Sequence, residues 1–404
     1  MCDNYPVTAP RLYTSVIGDH LQRNRQMALV SGPRQVGKTT ACRALGDVYF
    51  NWDNADHRRF ILRGPAALAE AVGLDQLRAS PPVLVLDELH KHRKWKALVK
   101  GFFDTYGDRV RIVVTGSSRL DIYRRGGDSL MGRYLLYRMH PWSVGELLRP
   151  GVPTQLIESP APLADEEWQA LCDHGGFPEP FLRRDPRFSR RWRSLRQDQL
   201  SREDLRDVAH VQDLGALETL MAILAERSSH QLIYAALSRD INVSVDTVKR
   251  WVNLLSHLHY GFTIRPWFRN VTKALRKEPK WFLRDWSGIG DAGDRAETMV
   301  ACHLLKAVEG WTDLGYGDVE LRYLRDTAKR EVDFLVVRDR KPWFLVEVKQ
   351  SDRALSPALG HFQAQTDAAH AFQVVLDLPF EPVDCFSSTR PSVVPARTLL
   401  SQLL

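Results

Sequence analysis

A glycine-bounded loop near the start of the chain has the residue types and spacing needed to hold phosphate groups. Residues 26–40 are QMALVSGPRQVGKTT, in which Gly32 and Gly37 bracket four residues and are followed directly by Lys38 and Thr39. Glycine lets the backbone curl close to a polyanion, and the N–H groups that open the next helix attract negative charge. The residues expected to contact phosphate are Gly32, Pro33, Arg34, Gln35, Val36, Gly37, Lys38, Thr39 and Thr40.

The two side chains that close the loop have separate expected roles. Lys38 brings a full positive charge to the β- and γ-phosphates, and the Thr39 hydroxyl is placed to ligate Mg²⁺. The apolar run 27–30 supplies the buried strand that such a loop follows. Because the strand, both glycines and the Lys-Thr pair occur together, a phosphate-binding loop is favoured over an ordinary glycine turn.

Two acids follow the next strongly apolar run of the sequence. Residues 83–86 are VLVL, and Asp87 and Glu88 come directly after them. Acids at the carboxyl end of a buried parallel strand lie beside the bound ligand, so we expect Asp87 to hold Mg²⁺ through its water shell and Glu88 to orient the attacking water as a base. A further apolar run, 111–114, ends in Thr115, which either senses the γ-phosphate or completes a turn of small residues.

The composition excludes several classes of protein. The 404 residues suffice for about two to four domains, and 26% charged with 44% hydrophobic residues is ordinary for a soluble globular chain. The five cysteines lie far apart without C-x-x-C spacing, which argues against a zinc site or a disulfide framework and fits a reducing cytosol. No apolar stretch approaches the ~20 residues of a membrane helix, so we expect a cytoplasmic protein without a membrane segment. The net charge of +7 favours an acidic partner.

Further motifs follow GPRQVGKTT (32–40) along the chain. They are VLDELHK (85–91) with Trp95, VVTGSS (113–118), SLMGR (129–133), GGFPEPF (175–181), EVDF (331–334) and VEVK (346–349). In this combination the chain resembles the prokaryotic AAA-type ATPases that carry a C-terminal domain of unknown function. The resemblance implies an α/β core that binds ATP and Mg²⁺, with Lys38, Thr39, Asp87 and Glu88 in the nucleotide site.

The same resemblance implies a role for an arginine and for assembly. Arg119, Arg124, Arg125 and Arg133 follow Thr115, and one of them is a candidate finger that reaches the nucleotide of a neighbouring copy. The resemblance favours Arg133 for this role and Thr115 as the sensor, and it implies a homo-oligomer. An ordinary surface arginine is the alternative.

Residues 230–268 have the pattern of a helix-turn-helix followed by a wing. Ser244 can cap a second helix whose apolar side chains fall at helical spacing: Val248, Trp251, Val252, Leu255 and Leu258. Lys249 and Arg250 then project outward, as a DNA-recognition helix requires. DNA is therefore an expected partner, although winged helices also serve as packing units between domains.

A second group of chemical residues lies in the C-terminal part. REVDFLVV (330–337) and PWFLVEVK (342–349) are two apolar strands, and a turn about residue 340 would set Asp333 opposite Glu347. Two facing carboxylates repel unless a cation lies between them. Together with Lys349, they resemble the site of restriction-endonuclease-like nucleases, and Glu297 matches the upstream helical acid of that family.

This resemblance implies metal-dependent phosphodiester cleavage. The acids Glu297, Asp333 and Glu347 would hold Mg²⁺, and Lys349 would assist the attacking water. The alternative is plain alternation of charge on a half-exposed strand, where opposite charges support one another across the sheet.

The predicted fold class is α/β. It combines an AAA-type P-loop ATPase domain (1–150), a helical linker region (151–210), a winged helix-turn-helix (211–275) and a restriction-endonuclease-like domain (276–404). The predicted function is ATP-regulated DNA processing. The alternative is an ATP-driven switch whose nuclease-like domain is inactive and binds nucleic acid or a protein partner.

Overall fold

The computed structural model describes residues 10–116, 130–200, 213–268 and 278–404. These form two compact units. The first unit contains the residues up to His140 together with Arg149–Thr154, and the second contains Pro141–Leu148 and Gln155–Leu404.

The first unit is built on a parallel five-stranded sheet. Its strands are β1 (Met27–Ser31), β2 (Val48–Asn51), β3 (Val83–Asp87), β4 (Arg111–Thr115) and β5 (Tyr134–Arg138), in the order β2-β3-β4-β1-β5. Strand β1 is buried along its whole length, which agrees with the continuous apolar run that predicted it. The predicted strands 27–30, 83–86 and 111–114 are each confirmed and extend one residue further.

Five described helices accompany this sheet. They are α1 (Leu12–Arg23), α2 (Lys38–Arg43), α3 (Ala55–Leu62), α4 (Pro65–Val72) and α5 (Trp95–Tyr106). Helix α5 places Trp95, Val99 and Phe102 in the same apolar core as Leu84 and Leu86 of strand β3. Strand β1, which leads into the loop that carries Lys38, contributes Met27 and Leu29 to this core.

The second unit begins with helices. They are α6 (Val144–Leu148), α7 (Asp165–His174), α8 (Pro178–Arg183), α9 (Pro186–Gln199), α10 (Leu214–Glu226), α11 (Tyr234–Asp240) and α12 (Val245–His257). The predicted cap is present, because the Ser244 hydroxyl accepts a 3.1 Å hydrogen bond from the Thr247 backbone N–H. Helix α12 buries Val248 and Trp251 while Lys249 and Arg250 are exposed.

A seven-stranded sheet forms the rest of the second unit. Its strands are β6 (Gly261–Pro266), β7 (Lys280–Leu283), β8 (Val319–Arg325), β9 (Glu331–Arg338), β10 (Lys341–Lys349), β11 (His370–Val375) and β12 (Ser392–Pro395), in the order β12-β11-β10-β9-β8-β6-β7. Helices α13 (Ala292–Asp313), α14 (Pro357–Thr366) and α15 (Ala396–Ser401) belong to the same part of the chain. Strands β9 and β10 form the predicted hairpin.

This sheet crosses the domain boundary that we predicted at residue 275. Strand β6 lies in the predicted winged helix, but its Arg265 and Pro266 pair in parallel with Arg322 and Tyr323 of strand β8. Residues 261–266 are thus part of the C-terminal sheet. The pairing joins segments more than fifty residues apart in sequence, so no pattern within either segment predicts it.

The boundary predicted at residue 150 also differs from the compact units. Residues 141–148 belong to the second unit, where Glu146 forms a buried ion pair with Lys306 of helix α13. Lys306 also donates a 3.1 Å hydrogen bond to the Pro141 carbonyl, and both charged side chains are at most 1% exposed. A buried ion pair fixes its partners, because separating them would leave an uncompensated charge in the interior.

Within the described ranges, no helix combines the length and apolar character needed to cross a membrane.

Candidate functional site

The phosphate loop joins strand β1 to helix α2, and its two glycines are required by geometry. A Cβ atom on Gly32 would lie 2.3 Å from the Met139 carbonyl oxygen, so no larger residue fits there. Gly37 has the left-handed backbone conformation, with φ 99° and ψ 15°, that side chains disfavour. The loop therefore has the shape that the sequence motif predicts.

Lys38 is folded into this loop. Its ammonium group donates hydrogen bonds to the carbonyl oxygens of Gly32 (2.9 Å) and Pro33 (2.8 Å), and the residue is only 6% exposed. Burial lowers the pKa of Lys38 to about 8, although the acids Glu88 and Asp87 oppose this shift. Of the other loop residues, Val36 is buried, Arg34 is half-buried, and Gln35, Thr39 and Thr40 are exposed.

Asp87 is the point at which the predicted metal-binding residues meet. The Thr39 hydroxyl donates a 2.9 Å hydrogen bond to its Oδ2 atom, and the Thr115 hydroxyl donates to its Oδ1 atom. The strand order explains this contact, because β4, which ends in Thr115, lies between β1 and β3. Thr39 and Asp87 together present the oxygen ligands that Mg²⁺ prefers, so these residues fit a magnesium-bound nucleotide.

Tyr49 of strand β2 is a member of this site that the sequence analysis missed. Its hydroxyl donates a 2.7 Å hydrogen bond to Asp87 Oδ2, and Asn51 donates to the Tyr49 oxygen at 3.3 Å. Burial and the contact with Asp87 raise the pKa of Tyr49. No pattern in the sequence near Tyr49 indicates this contact, because it depends on the parallel pairing of β2 with β3, which brings Tyr49 next to the acid-bearing strand.

Glu88, the predicted base, follows Asp87 in an unusual backbone conformation. Its φ of 55° and ψ of 23° are left-handed, which is costly for a residue with a side chain and is found at functional sites. Its N–H donates a long 3.5 Å hydrogen bond to the Thr115 hydroxyl, and its carboxylate lies 3.4 Å from the Lys91 ammonium. The side chain is 19% exposed, so solvent can reach it.

Arg11 forms a hydrogen bond with the backbone of the phosphate loop. This 7% exposed residue precedes helix α1, and its guanidinium donates one hydrogen bond to the Val36 carbonyl and another, of 2.7 Å, to the His140 carbonyl. Position 36 lies inside the phosphate loop. Arg11 is not among the residues to which the sequence analysis gave a role in the site.

Arg133 is not part of this chain's own nucleotide site. It precedes strand β5, which runs parallel to β1, whereas the phosphate loop follows β1. A five-residue strand spans roughly 16 Å. Arg133 therefore lies at the amino-terminal end of these parallel strands, and the phosphate loop lies at their carboxyl-terminal end. Arg133 instead forms an ion pair with Asp104 of helix α5, at 2.6 Å. Its role as a finger toward a neighbouring copy stays a prediction, and Ser117, Ser118, Arg119, Arg124 and Arg125 lie outside the described residues.

The C-terminal hairpin has the register that the sequence predicts. Asp339 and Arg340 form a two-residue turn in which both φ angles are positive, 49° and 66°, as the tight turns of β-hairpins require. Val346 pairs with Phe334, and the register continued by one residue sets Asp333 against Glu347. Asp333 Oδ2 accepts a 2.9 Å hydrogen bond from the Val348 N–H, which fixes its carboxylate on this hairpin.

Lys280, which the sequence analysis missed, lies among these acids. Its ammonium group is 2.9 Å from Glu297, 2.5 Å from Glu331 and 3.3 Å from Asp333, and its side chain is 5% exposed. We call Lys280, Glu297, Glu331, Asp333, Glu347 and Lys349 the acid–lysine cluster. Burial alone would lower the pKa of Lys280, but the three carboxylates outweigh it and raise this pKa.

The remaining members of the cluster, Glu347 and Lys349, contact each other. Lys349 donates a 2.9 Å hydrogen bond to Glu347 Oε1, while Glu347 Oε2 is buried without a hydrogen-bond partner. Burial, and next the Asp333 carboxylate, raises the pKa of both Glu297 and Glu347. Glu331 was foreseeable, because it lies two residues before Asp333 on one strand face. Lys280 was not, since it reaches the cluster from a strand at the edge of the sheet.

The acid–lysine cluster does not fit a bound divalent metal in this arrangement. Mg²⁺ needs about six oxygen ligands in near-octahedral geometry. Here Glu297 and Asp333 share one ammonium group, and the second Asp333 oxygen accepts the Val348 N–H. In the part of the chain that the structure describes, no group of three or more His, Cys, Asp or Glu side chains is arranged to hold a metal ion.

Three segments of the chain match known domain families. Residues 24–148 match the family described as AAA domain, residues 165–292 match a domain of unknown function (DUF8612), and residues 292–379 match another (DUF4143). The N-terminal part of the chain is thus an AAA-type domain with a P-loop, which is the kind of domain that binds and hydrolyses ATP. The nucleotide prediction is confirmed at this coarse level.

The relatives and solved structures that align with this chain have low sequence identity to it. Uncharacterized proteins of Mycobacterium bovis and Mycobacterium tuberculosis are each 24% identical over 263 residues, which is 64% of this chain and 54% of theirs. The chain thus matches about half the length of these curated relatives. Two solved structures are similar in part. The Aeropyrum pernix ORC1 protein in complex with DNA has 15% identity and a TM-score of 0.33, over 74% of this chain and 95% of its own. AMPPCP-bound DnaA from Aquifex aeolicus has 14% identity and a TM-score of 0.31, over 61% and 87%.

Proposed function

We propose that the first unit binds ATP together with Mg²⁺ and hydrolyses it. The observation that carries this proposal is the convergence on Asp87. Hydroxyl groups of Thr39, Tyr49 and Thr115, which come from three other elements, all donate to its one carboxylate. A nucleotide site needs an oriented acid beside the phosphate loop, and these three donors fix the orientation of Asp87.

Each residue has a defined task in this proposal. Lys38 and the loop N–H groups bind the phosphates, and Thr39 and Asp87 hold the metal. Bound Mg²⁺ would supply positive charge that stabilises the transferring phosphoryl group. Glu88 accepts the proton of the attacking water, and Thr115 fixes the orientation of the Asp87 carboxylate.

The direct test is steady-state ATP hydrolysis by the full chain as Mg²⁺ is varied. Wild type should turn over ATP only with divalent metal, and Asp87→Asn should lose this activity while its melting temperature stays close to that of wild type. An Asp87→Asn variant with full Mg²⁺-dependent turnover would reject the assignment of the site.

For the whole chain we propose an ATP-driven switch whose second unit contacts nucleic acid. The supporting observations are the net charge of +7 and the exposed Lys249 and Arg250 on helix α12. DNA binding should weaken steeply with salt if phosphates are the contacts. Fluorescence anisotropy with labelled duplex DNA, with and without ATP, measures this directly.

The matched control uses the same change of charge elsewhere on the second unit. Lys249→Glu/Arg250→Glu should abolish most DNA binding, whereas Arg187→Glu/Arg190→Glu, at exposed positions of helix α9, should retain it. If both double variants lose binding equally, helix α12 is not the contact surface.

A second candidate function is metal-dependent cleavage of nucleic acid, which would require Lys280 to leave Glu297 and Asp333, because the cluster does not fit a divalent metal in its present arrangement. The observation that favours it is the assembly of Glu297, Asp333, Glu347 and Lys349 in one cluster, as the resemblance to nucleases implies. Incubating labelled DNA with the purified chain and Mg²⁺ or Mn²⁺, with and without ATP, tests it. Cleavage that disappears in Asp333→Asn would establish this function in place of the switch.

A further inference from the structure

Lys280 occupies the centre of the acid–lysine cluster. Its ammonium group lies within 3.3 Å of three carboxylates, those of Glu297, Glu331 and Asp333. Because its side chain is only 5% exposed, these contacts form away from bulk water. Buried carboxylates need compensation by a positive charge, and here a side chain of the same chain provides it.

The backbone around Lys280 keeps its side chain in this position. Lys280 is the first residue of strand β7, which pairs with β6 along its length. Its backbone also forms a bridge with Gln231, and the next N–H, that of Trp281, donates to the His230 carbonyl at 2.9 Å. Trp281 is fully buried in the core around helices α10 to α12. The backbone of Lys280 is therefore held on both sides, by strand β6 and by residues 230–231.

Oxygens of these carboxylates already accept hydrogen bonds from other groups of the chain. Glu297 and Asp333 each direct an oxygen to Lys280, and the second Asp333 oxygen accepts the Val348 N–H at 2.9 Å. Glu331 is held between Lys280 and Arg325, the latter at 3.0 Å. Among the fully buried oxygens of these four acids, Glu347 Oε2 alone lacks a hydrogen-bond partner in the part of the chain that the structure describes. A single oxygen of this kind is too few for a divalent ion.

We propose that Lys280 is a built-in cation that takes the place of a divalent metal ion in this cluster. A metal ion bound by Glu297 and Asp333 would approach the Lys280 ammonium closely, and two positive charges at such a distance repel strongly. While Lys280 is in place, the acid–lysine cluster holds no metal ion. Its ion pairs instead stabilise the packing of strand β7 against helix α13 and the β9–β10 hairpin. The inference concerns the second unit and does not depend on ATP hydrolysis by the first.

The test measures Mn²⁺ uptake by calorimetry on the full chain without nucleotide. All variants carry Asp87→Asn, which removes the metal-binding acid of the phosphate loop. With Lys280 present, Mn²⁺ uptake should be the same whether residue 333 is Asp or is changed by Asp333→Asn. Lys280→Met, which removes the charge and keeps a long side chain, should gain one Mn²⁺ site, and adding Asp333→Asn should remove it again.

Two further variants separate a specific exchange from a general loss of charge. Lys280→Arg keeps a cation and should gain no Mn²⁺ site. Lys349→Met removes the other lysine of the cluster and should gain none either, because Lys349 contacts Glu347 and not the three acids around Lys280. A gain of the same size in Lys349→Met would overturn the special position of Lys280.

The proposal is overturned if the chain with Lys280 intact binds Mn²⁺ and loses that binding in Asp333→Asn. It is also overturned if folded Lys280→Met, verified by circular dichroism, gains no site. Should Lys280→Met fail to fold, the comparison of Asp333→Asn with its parent decides alone: equal uptake supports the proposal, and lower uptake rejects it. ATP turnover of the chain with Asp87 intact is measured separately, so failure of the ATPase proposal is recognised independently.

Discussion

The Thr39 hydroxyl donates a 2.9 Å hydrogen bond to the Asp87 carboxylate, although strand β1, which leads into the loop before Thr39, is not a neighbour of strand β3, which ends in Asp87. Strand β4 separates β1 from β3, and its last residue, Thr115, bonds to the same carboxylate from between them. The two side chains that we propose to bind the metal ion are thus already in contact through one carboxylate oxygen. Hydrogen bonds from Thr39, Tyr49 and Thr115 therefore fix the orientation of the Asp87 carboxylate, and preorganised groups of this kind favour catalysis.

Lys38→Ala should weaken ATP binding severely. The loop loses the lysine charge that faces the phosphates, and hydrogen bonds between charged groups contribute up to about 3 kcal/mol, which corresponds to roughly 100-fold in the dissociation constant. Titration calorimetry with ATP and Mg²⁺ measures the change. Lys94→Ala, at an exposed position of the same unit, is the matched control and should bind normally. Unchanged affinity in Lys38→Ala would contradict the phosphate-loop assignment.

Glu88→Gln should bind ATP with near-normal affinity and hydrolyse it at least roughly 100-fold more slowly. The carboxamide keeps the size of the side chain but cannot accept the proton of the attacking water. Single-turnover hydrolysis and equilibrium binding, measured on the same protein, separate the two effects. Glu70→Gln changes an exposed acid of helix α4 and should leave both unchanged. Equal rates in wild type and Glu88→Gln would remove Glu88 from the role of base.

Arg133 and Asp104 provide a test of assembly. If Arg133 reaches a neighbouring nucleotide, ATP should promote self-association, and Arg133→Ala should lower turnover without changing ATP affinity. Asp104→Ala breaks the same intrachain ion pair but keeps the arginine, so its turnover should stay normal.

Sedimentation together with turnover at increasing protein concentration gives the answer. Full turnover by a strict monomer would contradict the finger role of Arg133. Equal losses of turnover in Arg133→Ala and Asp104→Ala would also contradict it, and would show that Arg133 acts only through its ion pair with Asp104.

His303 should make the chain less stable in mild acid. Burial lowers the pKa of His303 to about 4, and the nearby Lys306 charge adds to the shift. The unfolded chain gains the proton near pH 6.5, whereas the folded chain resists it until about pH 4, so stability falls as the pH drops through this range. The expected loss is roughly 3 kcal/mol in the free energy of unfolding.

Urea denaturation at several pH values in this range measures the loss. His303→Gln, which cannot take up a proton, should show a shallower pH dependence than wild type. His361→Gln removes a partly exposed histidine from helix α14 and should leave the slope unchanged. Parallel pH profiles of wild type and His303→Gln would show that His303 does not set the acid limit.

The features that the sequence predicted correctly depend on residues close together along the chain. The phosphate loop, its strand and Lys38 lie within fifteen positions, and the hairpin register follows from the symmetric placement of Asp333 and Glu347 about residue 340. Ser244 likewise caps a helix that begins at the next residue. Local geometry determines each of these, so the pattern of residue types was sufficient.

The features that were missed depend on how distant segments pack. Tyr49 reaches Asp87 only because β2 pairs with β3, and Lys280 reaches the acids only because β7 lies at the edge of a sheet that also contains β9. Neither register nor strand order can be obtained from a single segment.

The buried ion pair between Lys306 and Glu146 limits how chains of this type can exchange parts by recombination. A chimaera joined at residue 150 would take position 146 from one parent and position 306 from the other. If a neutral residue then replaced Glu146, the Lys306 charge would lose the carboxylate that compensates it, at a cost of roughly 3–5 kcal/mol. We expect folded chimaeras in a shuffled library to be joined before Pro141, so that both charges are inherited together.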